Sequence, residues 1–127
     1  MKIAFIIPSM LKGGAERVIS VLCNKFSDRN HIVYLLLSEN SKEIEYPLDS
    51  NINIRDISSS KHSFIAKMPE YIKKIKRVLI KEHIEVVVSF ITRTNVCAII
   101  ACRQLKIPVI VSERNNPYLV PADRISK

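Results

Sequence analysis

Residues 2–18, KIAFIIPSMLKGGAERV, join a continuous apolar run to a glycine pair. The run at residues 2–7 is rich in isoleucine and stops at Pro8 and Ser9, which is typical of a strand covered on both faces. Apolar residues with helical spacing follow the glycines, at Ala15, Val18, Ile19, Leu22 and Phe26. The stretch therefore predicts a central strand, a turn over residues 9–14 and an amphipathic helix.

The same alternation continues along the chain. Apolar and β-branched runs predict four further strands, at residues 32–37, 52–57, 85–90 and 107–111. Helical spacing predicts two further helices, one at residues 64–83, either continuous or broken near Pro69, and one at residues 95–105. Residues 52–57 alternate as an edge strand does, residues 107–111 have the pattern of a buried strand, and the polar segment 39–51 is predicted to be a loop. The order β-α-β-β-α-β-α-β predicts an α/β fold with a doubly wound, mostly parallel, Rossmann-like sheet.

Composition limits the functional classes. The 127 residues are 47% hydrophobic and 25% charged, which indicates one packed domain and excludes disorder as the main description. Aromatic residues make up 6%, so a base-stacking surface for nucleic acid is not expected. Cys23, Cys97 and Cys102 lack metal-ligand spacing and are interpreted as reduced packing residues. A net charge of +8 favours anionic partners.

The predicted localisation is cytoplasmic, because no apolar run approaches the roughly 20 residues of a membrane-spanning helix and residues 1–8 lack a secretion-signal pattern. Predicted helix 64–83 has a basic side. This side is either a solvated helix back or a surface for anionic lipid, which would place the protein at the inner face of the membrane. The basic residues are Lys67, Lys73, Lys74, Lys76, Arg77 and Lys81.

The predicted turn after the first strand contains the only two glycines of the protein, Gly13 and Gly14. Two adjacent residues without Cβ let a phosphate or sugar approach main-chain N–H groups at a helix start, although a tight turn would also use them. Arg17 opposes the helix dipole at this position, and an anionic partner would explain it. Neither a dinucleotide-binding fingerprint nor a P-loop matches, because the third glycine and the Lys-Ser or Lys-Thr pair are missing.

A second polar segment, Thr92-Arg93-Thr94-Asn95, follows the fourth predicted strand. Its hydroxyl and amide groups serve either as helix caps or as ligand contacts. A cap does not explain Arg93, which favours recognition of an anion or of hydroxyl groups.

A third polar segment, residues 112–117, follows the fifth predicted strand. Its Asn-Asn-Pro string is consistent with a solvated turn, in which Glu113 and Arg114 neutralise each other. Because the carboxyl ends of parallel strands share one sheet edge, the same residues could instead join Gly13 and Arg93 in a polyhydroxyl or phosphate site.

Four strings together carry a resemblance that covers essentially the whole chain: IAFIIPS at residues 3–9, GGAER at 13–17, SFITRTN at 89–95 and VSERN at 111–115. They resemble the amino-terminal domain of family 4 glycosyltransferases. The resemblance implies a GT-B architecture, with two Rossmann-like lobes and a cleft between them. It also implies transfer of a sugar from a nucleotide-diphosphate sugar with retention of anomeric configuration and without an essential metal or cofactor.

The resemblance also implies roles for individual residues. The acceptor is a glycan or lipid-linked molecule held mainly by this lobe, and the glycine turn borders the donor phosphates. Glu113 and Arg114 are the implied catalytic residues. Many members have a histidine at the position of Arg114; arginine donates hydrogen bonds as histidine does, but it cannot accept a proton. The implied donor contacts are Gly13, Gly14, Ala15 and Arg17, and the implied acceptor contacts are Glu16, Thr92, Arg93, Asn95 and Asn115.

The chain ends at Lys127, before the second lobe that in this family binds most of the nucleotide. The expectation is therefore a truncated amino-terminal lobe that is inactive alone. The alternative is a non-catalytic nucleotide- or phosphate-binding regulatory module of flavodoxin-like type.

Overall fold

A computed structural model describes residues 1–11 and 13–112 and has five strands and three helices in the predicted order. Each helix follows a strand and returns the chain to the start of the next parallel strand, except that β2 passes directly to β3. The elements are β1 Lys2–Met10, α1 Gly14–Asp28, β2 Ile32–Ile44, β3 Asn53–Asp56, α2 Phe64–Lys81, β4 Val86–Phe90, α3 Thr92–Leu105 and β5 Val109–Ser112. The predicted α/β class is confirmed.

The five strands form one sheet in the order β3-β2-β1-β4-β5, and every neighbouring pair is parallel. The winding reverses between β1 and β4, so the predicted doubly wound topology is confirmed. The carboxyl ends of these two strands form the switch point at which such sheets bind ligands. β3 is an edge strand, as its alternating sequence predicts.

The core consists of two layers because successive side chains of a strand point to opposite faces. Ile3, Phe5 and Ile7 of β1 face α1, whereas Ala4 and Ile6 face α2 and α3. All five side chains are at most 3% exposed. The carboxyl edge of β1 is therefore packed from both sides.

The predicted loop over residues 39–51 is wrong in its first part, because β2 continues to Ile44. β1 likewise continues past Pro8 to Met10. The register shifts after Ile7, so that Met10 pairs with Ile44. Proline lacks an N–H donor and is tolerated in a strand at such irregularities, which explains why Pro8 does not end β1.

The structure also decides between the two alternatives for Pro69 and corrects one further prediction. α2 is continuous through Pro69, and the carbonyl that loses its N–H partner there belongs to the 82% exposed Ile65. β5 is not buried: among the described residues it is an edge strand, and Ile110 and Val111 are 59% and 41% exposed. Its β-branched composition resembles that of a central strand, so the sequence pattern alone does not distinguish an edge strand from a central one.

None of the helices in the described part is long and apolar enough to cross a membrane.

Candidate active site at the carboxyl edge of the sheet

The described candidate residues lie at the carboxyl edge of the sheet but on two different faces. The turn of Gly13 and Gly14 leads into α1 on one face. The start of α3, which carries Arg93, lies on the other face. The third predicted group, Glu113, Arg114 and Asn115, lies outside the described residues.

Gly13 precedes the first turn of α1 in an extended conformation, with φ 175°, so its backbone does not require glycine. A Cβ on Gly13 would instead contact the Glu16 carboxylate, which turns back over the start of the helix. The partial positive charge of a helix N-terminus favours a carboxylate at this place. The missing side chain thus leaves room for Glu16, while Gly14 and Arg17 are exposed.

The first N–H groups of α1 have no acceptor within the helix, as at every helix N-terminus. The N-cap residue, Gly13, has no side chain that could cap them. Gly13 donates its own N–H to the Tyr46 hydroxyl at 3.2 Å. A phosphate contact of the kind expected from the sequence therefore falls to the N–H groups of Gly14 and Ala15.

Residues 45–49, which we call the strap, run along α1 and hold its start. Ser20 Oγ and Asn24 Nδ2 both donate to the Pro47 carbonyl at 3.0 Å. Asn24 Oδ1 accepts the Asp49 N–H at 2.8 Å. The polar segment that the sequence marks only as a loop is therefore a fixed support of the glycine turn.

Tyr46 of the strap contacts the glycine turn directly. Its hydroxyl accepts the Gly13 N–H at 3.2 Å and donates to the Gly13 carbonyl at 3.1 Å. Sequence analysis missed this residue because a single tyrosine in a polar segment has no local pattern. The pairing becomes visible only once β2 extends far enough to bring residues 45–49 to α1.

On the α2 and α3 face, a cavity of about 190 Å³ opens at the same edge of the sheet. Three of the residues that line it carry cationic or protonatable groups, His62, Lys67 and Arg93, and one, Glu39, carries a carboxylate. None of these four side-chain groups makes a hydrogen bond or ion pair with another described residue. They are therefore available to an anionic or polyhydroxyl ligand.

The floor of the cavity is largely apolar and includes Phe64, Tyr71 and Ile75. Tyr71 donates its hydroxyl hydrogen to the Ser38 carbonyl at 3.3 Å. Burial, followed by the nearby Glu39 charge, raises the pKa of Tyr71, so this phenol stays neutral at physiological pH. The cavity thus combines a neutral aromatic floor with charged groups around it.

Arg93 is the second residue of α3 and is exposed at the cavity. Its guanidinium lies over the Phe64 ring, 5.3 Å from the ring centroid. A cation–π contact of this kind is worth about 0.5–1 kcal/mol at an exposed site. It orients the side chain and leaves the N–H donors in the guanidinium plane free.

Of the two alternatives for Thr92, Thr94 and Asn95, capping of α3 is not what the structure has. Helix α3 begins directly after Ile91, whose φ of 79° is unusual for a β-branched residue, and no side chain caps it. Asn95 is 3% exposed and donates Nδ2 to the Ser112 carbonyl at 3.2 Å, which joins α3 to β5. Of this segment, Arg93 and Thr94 line the cavity, and Thr92 is exposed beside it.

The cysteines behave as packing residues. All three are buried and unbridged, as expected. Burial raises the pKa of the Cys23 thiol to about 12 and that of Cys102 to about 11, and it also raises the pKa of Cys97, which lines the cavity. In the part of the chain that the structure describes, no three His, Cys, Asp or Glu side chains form a group that could hold a metal ion.

The basic residues of α2 do not form one surface. Lys74 contacts Glu70 and the Ser58 carbonyl, and Lys76 donates to Gln104 Oε1 at 2.8 Å. Lys67 lines the cavity. The residues that share an exposed face at a spacing of four are Ile65, Pro69, Lys73, Arg77 and Lys81, which we call the outer stripe.

The glycine turn and the cavity are thus two candidate subsites that flank one switch point. Comparison with known proteins shows the family to which the chain belongs. The family model for Glycosyltransferase Family 4 matches residues 12–125. The chain belongs to glycosyltransferase family 4. The resemblance to family 4 glycosyltransferases is thereby confirmed, and three of the four strings, from residue 13 onward, lie within the matched residues.

A relative of the family 4 domain is a transferase of Campylobacter jejuni, named GalNAc-alpha-(1->4)-GalNAc-alpha-(1->3)-diNAcBac-PP-undecaprenol alpha-1,4-N-acetyl-D-galactosaminyltransferase. It is 28% identical over an alignment of 127 positions, which covers 95% of this chain and 34% of the relative. The chain thus spans about a third of that relative's length.

Two solved structures share the fold. Acinetobacter baumannii MurG has a TM-score of 0.66 at 19% identity, over 91% of this chain and 35% of that protein. The UDP-GlcNAc 2-epimerase of Methanocaldococcus jannaschii has a TM-score of 0.63 at 21% identity, over 87% of this chain and 31% of that protein. Because one of the two is an epimerase, the shared fold does not by itself specify the reaction.

Proposed function

We propose that this family 4 domain is the amino-terminal, acceptor-side lobe of a retaining glycosyltransferase. The enzyme would transfer a sugar from a nucleotide-diphosphate sugar to a glycan or lipid-linked acceptor, without a cofactor. The observation that carries the proposal is the switch point itself, with main-chain N–H groups that lack an intrahelical acceptor on one face and a charged cavity on the other. A transferase of two substrates needs two adjacent subsites, which this edge of the sheet offers.

The donor would lie against the glycine turn. Its diphosphate would accept hydrogen bonds from the N–H groups of Gly14 and Ala15, and the exposed Arg17 would add positive charge. Hydrogen-bond donors that are fixed before the reaction stabilise developing charge without reorganisation. The lobe would therefore contribute positioning and electrostatics to the reaction. A second lobe would supply the remaining nucleotide contacts.

The acceptor would lie in the cavity. Phe64 and Tyr71 offer apolar surface to a sugar ring, and Glu39 accepts hydrogen bonds from hydroxyl groups. Lys67 and Arg93 suit an acceptor that carries phosphate. The name of the Campylobacter jejuni relative includes a -PP-undecaprenol carrier, which supports a lipid-linked diphosphate acceptor for this protein as well.

The reacting groups would meet between the two subsites. Glu113 and Arg114 follow β5 in the sequence, and the proposal assigns them hydrogen bonds to the reacting sugar, with Asn115 beside them. Thr92 and the Glu16 carboxylate would contact acceptor hydroxyl groups from the starts of α3 and α1. A lipid-linked acceptor also gives the outer stripe a role, since exposed Lys73, Arg77 and Lys81 would hold the lobe at the anionic inner surface of the membrane.

Calorimetric titration of the 127-residue chain with uridine and guanosine diphosphate sugars tests this proposal. A site shared by two lobes leaves each lobe with part of the contacts, so we expect binding no tighter than roughly millimolar and no sugar transfer by the chain alone. A regulatory module that binds nucleotide by itself would instead saturate at micromolar concentration. One such tight nucleotide would overturn the half-site proposal.

A further inference from the structure

The hydrogen bonds between Tyr46 and Gly13 restrain both peptide groups of the glycine. Glycine is the residue with the greatest backbone freedom, so a turn built on it is ordered only by contacts from outside. Tyr46 supplies two of these, to the Gly13 N–H at 3.2 Å and to the Gly13 carbonyl at 3.1 Å. The same carbonyl accepts the Arg17 N–H at 3.2 Å, which is the first hydrogen bond of α1. The phenol is therefore joined to the start of the helix.

Tyr46 is itself fixed from both sides. Before it, Glu45 donates its N–H to the Met10 carbonyl at 2.9 Å, which ties the strap to the end of β1. After it, the Pro47 carbonyl accepts from Ser20 at 3.0 Å. The Tyr46 ring packs against the hydrophobic cluster beneath α1. A group held in this way can set the geometry of the flexible turn that it contacts.

We propose that Tyr46 is a positioning residue that aims the N–H groups of Gly14 and Ala15 at the donor diphosphate. This inference rests on the proposed donor role of the glycine turn. Tyr46 does not touch the donor; it acts by holding Gly13 in the conformation that presents the next two N–H groups together. Hydrogen-bond donors that are already aligned bind charge better than donors that must first be ordered.

The test is Tyr46→Phe, which removes the hydroxyl and keeps the packed ring. In the 127-residue chain, amide hydrogen exchange by NMR should be faster at Gly13, by about threefold to tenfold for the loss of a hydrogen bond. In a protein that includes the second lobe, the donor KM should rise by a similar factor while the acceptor KM stays constant. Ser20→Ala is the matched control, because it removes a hydroxyl of α1 that donates to the Pro47 carbonyl of the strap and does not contact Gly13.

Each outcome decides between positioning and general support. Faster Gly13 exchange and a raised donor KM in Tyr46→Phe alone would support the inference. Unchanged Gly13 exchange, an unchanged donor KM, or an equal rise of donor KM in both variants would overturn it. If the wild-type two-lobed protein transferred no sugar, the proposed function would fail and the donor role of Tyr46 with it, whereas an exchange rate unaffected by Tyr46→Phe would refute only the positioning.

Discussion

The glycine turn and the cavity lie at one edge of the sheet and present opposite kinds of chemistry. At the turn, the groups offered to a ligand are main-chain N–H donors, held by the strap through Tyr46. In the cavity, they are the side chains of Lys67, Arg93 and Glu39, which have no hydrogen-bond or ion-pair partner among the described residues. The glycine turn would therefore bind a ligand through main-chain groups, and the cavity would bind one through charged side chains.

This difference determines how each subsite can change. Main-chain donors are the same in every residue but proline, so a substitution at the turn acts by steric blocking or by altered backbone order. A cavity formed by side chains changes its preference when one charge is replaced, while the backbone stays in place. We therefore expect the turn to recognise a group that all donors share, such as the diphosphate, and the cavity to determine which acceptor is used.

The largest effect should come from closing the turn to its ligand. Gly14 is exposed in the first turn of α1, so Gly14→Val should leave the lobe folded and place a branched side chain where the donor approaches. In a protein that includes the second lobe, we expect transfer to fall by about 100-fold to 1000-fold, the effect of losing an aligned donor at a reacting centre. Steady-state assays with thermal melts measure both properties.

Gly14→Ala is the control for this substitution. Alanine forms helices better than glycine, so it should leave stability equal or higher while costing less activity than valine does. Activity that follows stability instead of side-chain size would show that the glycine serves only the turn.

How much of this site the sequence predicts depends on whether its residues are neighbours in the chain. Gly13, Gly14 and Arg93 belong to short strings beside apolar runs, and the parallel sheet brings those strings to one edge. The cavity joins Glu39, His62 and Lys67 from separate segments, which no local pattern connects. The element order is predictable for the same reason as the glycine turn, because hydrophobic periodicity is local.

The errors of the prediction have physical causes. The polar segment 39–51 forms the end of β2 and the strap. Its main-chain groups bond to β1 and α1, and main-chain hydrogen bonds leave no signal in the sequence. Asn95 is a frequent type of helix cap, yet burial directs its amide to Ser112. β5 has the composition of a central strand but lies at an edge among the described residues.

A second prediction concerns the outer stripe, which lies on the exposed side of α2. Replacing Lys73, Arg77 and Lys81 by Gln should weaken binding to anionic vesicles by about 100-fold at low salt, because each basic residue near such a surface contributes about 1 kcal/mol. Vesicle sedimentation measures this, and binding to zwitterionic vesicles should not change. Because salt screens these charges, the difference should shrink as ionic strength rises.

The matched control neutralises three exposed basic residues that lie away from α2. Equal loss of vesicle binding in this control would indicate that net charge alone attracts the protein to lipid, and the outer stripe would then be a solvated helix back. The control residues are Lys25, Arg29 and Lys42.

The smallest of the three effects should come from Arg93, because a single exposed cation is removed while Lys67 remains in the cavity. Arg93→Ala should raise the acceptor KM by about tenfold, which corresponds to one hydrogen bond to a charged group. The donor KM should stay constant, since the glycine turn lies on the opposite face of the sheet. Arg103→Ala removes an exposed arginine from the last turn of the same helix and should change neither constant. A rise in donor KM for Arg93→Ala would mean that the two subsites are not divided between the faces.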